Sequence, residues 1–210
     1  MKTVIQIVLI VAAIILAYMI YQSVERPIEF EKAKDARYEV TVQRLKDIRK
    51  AELAFKDVNG RFTGNWDTLI NFVKHDSLPL VRKIGMITDS MIDAGITEEK
   101  AIKKGLIIRD TIRVSVLDTL FGTSYPIEKL KMIPVKDTNA EFHLGATILT
   151  TGSGIKVPVF EAKAHNNILL KDLDRQLVIN LNDQRRTNGK YPGLKVGSLT
   201  ETNNNAGNWE

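Results

Sequence analysis

From Val4 to Val24 the chain reads VIQIVLIVAAIILAYMIYQSV, a run with no charge, no glycine and no proline. At about 1.5 Å per residue such a run makes a helix about 31 Å long, which is the thickness of a bilayer's hydrocarbon core. Lys2 lies on one side of it, and Glu25 and Arg26 on the other. This run predicts a transmembrane anchor over residues 1–24, so everything downstream is expected to act as a tethered domain. A cleavable signal peptide would have a shorter apolar core followed by a small-x-small site. Tyr18, Met19, Ile20, Tyr21 and Gln22 offer no such site, so the reading adopted is a retained single-pass anchor. A one-lysine stub before the span and 186 residues after it place the N-terminus in the cytoplasm and the bulk outside. In a Gram-negative envelope that is the inner membrane, with a periplasmic or extracellular bulk. Tyr18 and Tyr21 then fall at the outer interface, where aromatic rings with a polar tip settle. Within the span, Gln6, Ala12, Ala13 and Ala17 are the candidate partner-binding residues: an amide and three small side chains.

Beyond the anchor the composition is that of an ordinary globular chain, with 44% hydrophobic and 26% charged residues. Between Glu25 and Asp76 there are ten acidic and eleven basic residues, so no one-sided basic face exists for a nucleic acid. The chain has no cysteine, which excludes disulfides, thiolate metal sites and a cysteine nucleophile. Its three histidines, His75, His143 and His165, are far apart, and none has a partner at metal-ligand spacing. Asp89, Asp93, Glu98 and Glu99 form an acidic cluster that reads as a solvated loop and helix start. No phosphate loop or nucleophile elbow occurs. The expectation is a non-enzymatic protein with no cofactor and no metal.

Pro27 comes where the membrane helix should end, and is expected to kink it or to open a second helix. From Ile28 to Val58 the apolar residues Tyr38, Val42, Leu45, Ile48, Ala51, Phe55 and Val58 step by three or four. This predicts a stalk helix of about 46 Å carrying one apolar stripe. The stripe packs either on the domain's own sheet or on a partner helix. Glu52 and Lys56 read as a favourable surface pair. Asn59-Gly60 closes the helix, and Asn65 caps a short one from Trp66 to about His75, with Leu69, Ile70 and Val73 turned inward. Tyr38, Leu45, Phe62 and Trp66 are the candidate partner contacts at this stalk-to-head junction.

Further on, Leu78–Ile87 reads as extended, Thr97–Lys104 as a helix ended by Gly105, and Leu106–Val116 as a strand. Lys129–Val135 reads as a short strand. Glu141–Thr150 and Ile155–Ala164 flank Thr151-Gly152-Ser153-Gly154, a hairpin signal. Pro158 marks the second arm as an edge strand or a bulge. Leu170 to about Thr187 has helical spacing, Leu194–Leu199 reads as a strand, and residues 201–210 as a polar tail whose Trp209 is expected to dock on the domain. The expected fold class is α+β: an N-terminal transmembrane helix continuing into a long stalk helix (with its junction, 25–76) and an antiparallel-sheet head over 77–200.

Two stretches share a phrase. Glu52–Leu69 and Val178–Leu199 each run helix, Asn-Gly, a base, an aromatic, a turn residue and a glycine. An apolar anchor, a proline just past it, a long amphipathic helix and then Asn-Gly-Arg-aromatic resembles the N-terminal half of type IV pilins and type II secretion pseudopilins. The terminal Ala206-Gly207-Asn208-Trp209 also looks like the last residues of major pseudopilins. The resemblance covers about 75 residues plus the tail. It implies a membrane helix that forms the spine of a globular head, and an envelope subunit that assembles through protein partners. Those families place a glutamate five residues into the mature helix. Here no acid precedes Glu25, so filament register through that group is not implied. Two alternatives stand beside a structural or assembly subunit. One is an accessory subunit of a larger secretion, motility or wall-associated complex, and the other a ligand-binding periplasmic head.

Overall fold

The computed structural model describes residues 2–86, 88, 97–136 and 138–210. Among the described residues the elements in chain order are α1 (Lys2–Asn59), α2 (Trp66–His75), β1 (Ser77–Ile84), α3 (Glu98–Lys103), β2 (Ile108–Ser115), α4 (Val116–Leu120), a 3-10 helix (Ile127–Lys131), β3 (His143–Thr150), β4 (Lys156–His165), α5 (Asn166–Leu169), α6 (Arg175–Thr187) and β5 (Gly193–Gly197). A long apolar N-terminal helix with small antiparallel sheets makes the class α+β. The chain divides into two compact units, residues 1–49 with 131–210, and residues 50–130.

α1 is a single helix of 58 residues, about 87 Å long. Pro27 lies inside it and does not divide it into anchor and stalk. Its apolar stripe is largely the buried side of its own fold, for Leu45, Ile48 and Ala51 have no exposed surface and Phe55 is buried. Tyr38 and Val42 are half-buried, and Val58 at the helix end is exposed. Phe30, which lies outside the predicted stripe, is buried as well. Two junction residues proposed as partner contacts, Leu45 and Phe62, are therefore enclosed within the chain. The surface pair of Glu52 and Lys56 also fails: Glu52 is fully buried, and Lys56 Nζ stands 5.3 Å from the centre of the Phe62 ring.

In the first unit β3, β4 and β5 form one antiparallel sheet in that order. The β3–β4 hairpin pairs His143 with Lys163 through Thr150 with Lys156, and its turn closes with Thr151 N–H on Ile155 O at 2.9 Å. β4 is thus a central strand, contrary to the edge position expected from Pro158. The proline is tolerated because β5 pairs only with Glu161–His165, so Pro158 lies where β4 has β3 alone as neighbour. Phe142, Phe160, Leu169, Leu170 and Val196 centre the core of this unit. The helix expected from Leu170 begins only at Arg175, as α6, opened by Asp174, whose carboxylate accepts the N–H groups of Gln176 and Leu177; the short α5 ends before it, at Leu169. The strand expected over Lys129–Val135 is instead the 3-10 helix and then a single bridge, Met132 to Glu141.

In the second unit β1 and β2 pair antiparallel from Ser77–Ser115 to Ile84–Ile108. Leu69, Ile70, Phe72 and Val73 bury one face of α2, and the Phe55 and Phe72 rings meet edge to face at 5.1 Å. Asn65 caps α2, its side chain accepting Thr68 N–H at 3.0 Å. Asn65→Ala should cost about 1 kcal/mol, seen as a lower thermal midpoint for this unit. An unchanged midpoint would assign the helix start to its packing alone. Asp89, Asp93 and the end of the predicted extended segment at Ile87 lie outside the described residues.

The repeated phrase holds only as a capping turn. Gly60 and Gly189 both adopt left-handed φ (+72° and +66°) after a helix. The two turns then lead into different elements, α2 after Gly60 and β5 after Gly189.

Candidate functional site

Two surfaces of α1 meet different surroundings. From Thr3 to Tyr21 every residue is exposed, including Gln6, Ala12, Ala13 and Ala17. This stretch is long and apolar enough to cross a membrane, and no other described part of the chain covers it. The four proposed contact residues of the span are therefore free surface. From Phe30 onward the helix enters the head.

Arg37, Tyr38 and Arg49 attach α1 to the first unit. Arg37 donates from Nη1 and Nη2 to both carboxylate oxygens of Asp172 (2.5 and 2.6 Å) and from Nη1 to Leu169 O (3.0 Å). A bidentate pair of this kind fixes orientation as well as distance. The bond to Arg37 holds the Asp172 carboxyl below its ordinary range, and the guanidinium is raised in turn. Tyr38 donates to Asn166 Oδ1 at 2.5 Å, and the Arg185 guanidinium stands 5.4 Å over its ring. Burial pushes the Tyr38 phenol up. Asn166, fully buried, donates to Asn182 Oδ1 (2.9 Å), and Asn182 donates to Asn167 Oδ1 (2.8 Å). Buried amides pair in this way because an orphaned one costs about 1–3 kcal/mol. Tyr38, half-buried, is thus hydrogen-bonded within the first unit. Trp66, half-buried, is the first residue of α2 in the other unit.

The polar tail is the third part of the first unit to be fixed in place. Gly197 N–H donates to Ala206 O, and Asn208 N–H to Lys195 O, both at 3.0 Å. The Asn208 side chain accepts from Lys195 N–H and donates to Gly193 O. Arg49 Nη1 reaches Glu210 at 2.7 Å and Asn205 O at 3.3 Å. The Trp209 ring lies over Gly207, where a Cβ would meet it at 2.3 Å. The tail thus extends the sheet beside β5. Beside it lies a cavity of about 610 Å3 whose lining includes Arg185, Lys190, Tyr191, Lys195, Glu201 and Glu210. A smaller cleft, about 400 Å3, opens between α1 (Met19, Gln22, Ser23, Arg26) and the start of α6 (Asp174, Gln176, Leu177).

In the second unit one group stands out. Glu52 accepts Thr63 N–H on Oε2 at 3.0 Å, while its buried Oε1 has no hydrogen-bond partner. Burial pushes its carboxyl up to about 8, against the smaller opposing effect of the Thr63 bond. Periodicity signals this site, because Glu52 lies four residues after Ile48 and three before Phe55, on the apolar stripe itself. Arg37, Asp172, Asn166 and Asn182 are brought together only by tertiary folding and carry no sequence signal.

Among the described residues no three of His, Asp and Glu gather as a metal site. His165 Nδ1 accepts the Asn167 N–H at 3.0 Å, and burial lowers its pKa. Comparison with family models, curated proteins and solved structures finds no match to this chain.

Proposed function

We propose that this chain is a single-pass, membrane-anchored, non-enzymatic subunit of an envelope assembly, pilin-like in layout. Val4–Val24 spans the inner membrane with the N-terminus in the cytoplasm, and the remainder lies in the periplasm or outside. The observation that carries this reading is the unbroken exposure of Thr3–Tyr21 at the head of a helix whose later turns are buried. Large exposed apolar surfaces belong against lipid or a partner, and the helical backbone satisfies its own hydrogen bonds there. Ala12, Ala13 and Ala17 permit close approach of another helix, and the Gln6 amide can bond across such a contact.

A second reading, an accessory subunit of a larger complex, draws on the enclosure of Leu45 and Phe62. With the stripe taken up by the chain's own fold, any partner contacts are confined to the span and the outer surface of the head.

The test is extraction of the full-length chain in mild detergent, followed by native mass and electron microscopy. Rings or helices of this chain alone support an assembly subunit, and one copy bound to an unrelated protein supports the accessory reading. Release from membranes by alkaline carbonate without detergent refutes both.

A further inference from the structure

A sheet edge exposes a row of unpaired N–H and C=O groups, and folded proteins guard it with charge, proline or a covering segment. In the first unit the β5 edge is covered by the chain's own tail, with Val196 bridged to Gly207 and Gly197 bonded to Ala206. In the second unit β1 carries Pro79 and β2 carries Arg113. β3 (HLGATILT) has neither device: over eight residues it contains no lysine, arginine, aspartate, glutamate or proline. Among the described residues no strand pairs with its outer side. Its distal half is open, with Ile148 58% exposed and Thr147 and Thr150 exposed beside it.

Every second residue of an edge strand directs its N–H and C=O away from the neighbour it already has. An edge of this kind fits another extended backbone. The absence of charge selects which one. In antiparallel pairing about a two-fold axis, residues near the axis stand beside their own counterparts, and like charges placed opposite one another are destabilising. A strand that meets a different chain can use complementary charge for specificity. A self-pairing strand does best with none, and β3 has none.

We propose that β3 pairs antiparallel with β3 of a second copy of this chain, joining two three-stranded sheets into one of six strands. The proposal goes beyond the anchoring role and stands on a different element, so it holds or fails whether or not α1 crosses a membrane.

The chain has no cysteine, which makes disulfide trapping clean. Ala146→Cys, Thr147→Cys and Ile148→Cys are each oxidised in the full-length chain in mild detergent, with Asp183→Cys on exposed α6 as control. At least one β3 variant should form a covalent dimer at a rate well above the control. Ile148→Lys, a change at an exposed position, should weaken self-association about a hundredfold, because like charges are then apposed across the axis. Circular dichroism of the lysine variant checks that it folds. A monomer with no trapped dimer overturns the proposal. So does an oligomer that survives Ile148→Lys without trapping, since it assembles through another surface. Trapping of a different protein in cells in place of the dimer also overturns it.

Discussion

Glu52→Gln should hold its stability nearly flat across a pH range in which the native protein loses several kcal/mol. The Glu52 carboxyl is raised from 4.5 to about 8 by burial, with no charged group contributing to the shift. Below pH 4.5 it is neutral in both folded and unfolded chains, and its favourable contribution to the fold is fully present. Between 4.5 and 8 the unfolded chain gives up the proton and the folded chain keeps it. Stability therefore falls as pH rises, by about 1.4 kcal/mol per unit, and on the order of 4–5 kcal/mol is lost by pH 8. Above that the folded protein must hold a buried carboxylate whose Oε1 has no partner. Glutamine keeps the shape and an oxygen for Thr63 N–H, and never ionises. The readout is urea unfolding followed by Trp66, which lies in the same unit, for both proteins from pH 5 to 9. The variant should overtake the native protein as pH rises, and parallel curves would refute the assignment. Asp172, Glu128 and Glu210 are shifted downward by their Arg37, Lys74 and Arg49 partners. Their contributions are lost only as pH falls below the ordinary carboxylate range. That of His165, held low by burial, is lost as pH falls below the ordinary histidine value, in both proteins alike. The difference between the two curves therefore isolates Glu52.

The same residue shows how far sequence reading reaches. Helical periodicity placed Leu45, Ile48, Ala51 and Phe55 on one buried face, because that face is a local property of the 3.6-residue turn. Glu52 shares that spacing, yet charge rules alone pair it with Lys56 on the surface. Tertiary burial overrode the local rule. Turns were legible where their chemistry is local, as at Asn65 before α2, at Gly60 after α1, and at Thr151–Gly154 in the hairpin. Pro158 suggested an edge strand or a bulge, yet β4 is central and pairs in regular register with β3 there. How far β5 extends along β4 depends on residues some 35 positions away. The Arg37–Asp172 pair and the Asn166–Asn182 contact were invisible for the same reason, since no local pattern distinguishes these polar residues from solvated ones. In the span, exposure of Gln6, Ala12, Ala13 and Ala17 reflects an apolar run that nothing else among the described residues is shaped to cover. The polar composition of the tail concealed its backbone pairing with β5, which needs no particular side chains except Asn208.

Gly197→Ala should unravel the β4–β5 edge, whereas Gly189→Ala, another glycine with positive φ in the same unit, should be mild. Both adopt left-handed backbone, φ +71° and +66°, and for alanine that conformation alone costs about 1–2 kcal/mol. The difference lies in what a Cβ would meet. At Gly189 there is open space. At Gly197 it would stand 2.1 Å from Phe160 O and 3.1 Å from the Phe160 carbonyl carbon. These are backbone atoms that no rotamer change can move. Relief requires separating β5 from β4 at the Glu161–Gly197 pair, above the fully buried Phe160 ring. The same movement strains the Gly197 to Ala206 bond that fixes the tail. Gly197→Ala should therefore lose more than about 4 kcal/mol, in the range where a change at one site threatens the whole unit, and Gly189→Ala about 1–2 kcal/mol. Urea unfolding followed by Trp209, which sits in the tail of this unit, separates the two. Equal losses would mean that φ alone sets the cost and that the sheet yields to the added methyl group. A large loss at Gly197 alone would show that close contact between β4 and β5, with the tail seated behind it, holds the C-terminal edge of the sheet.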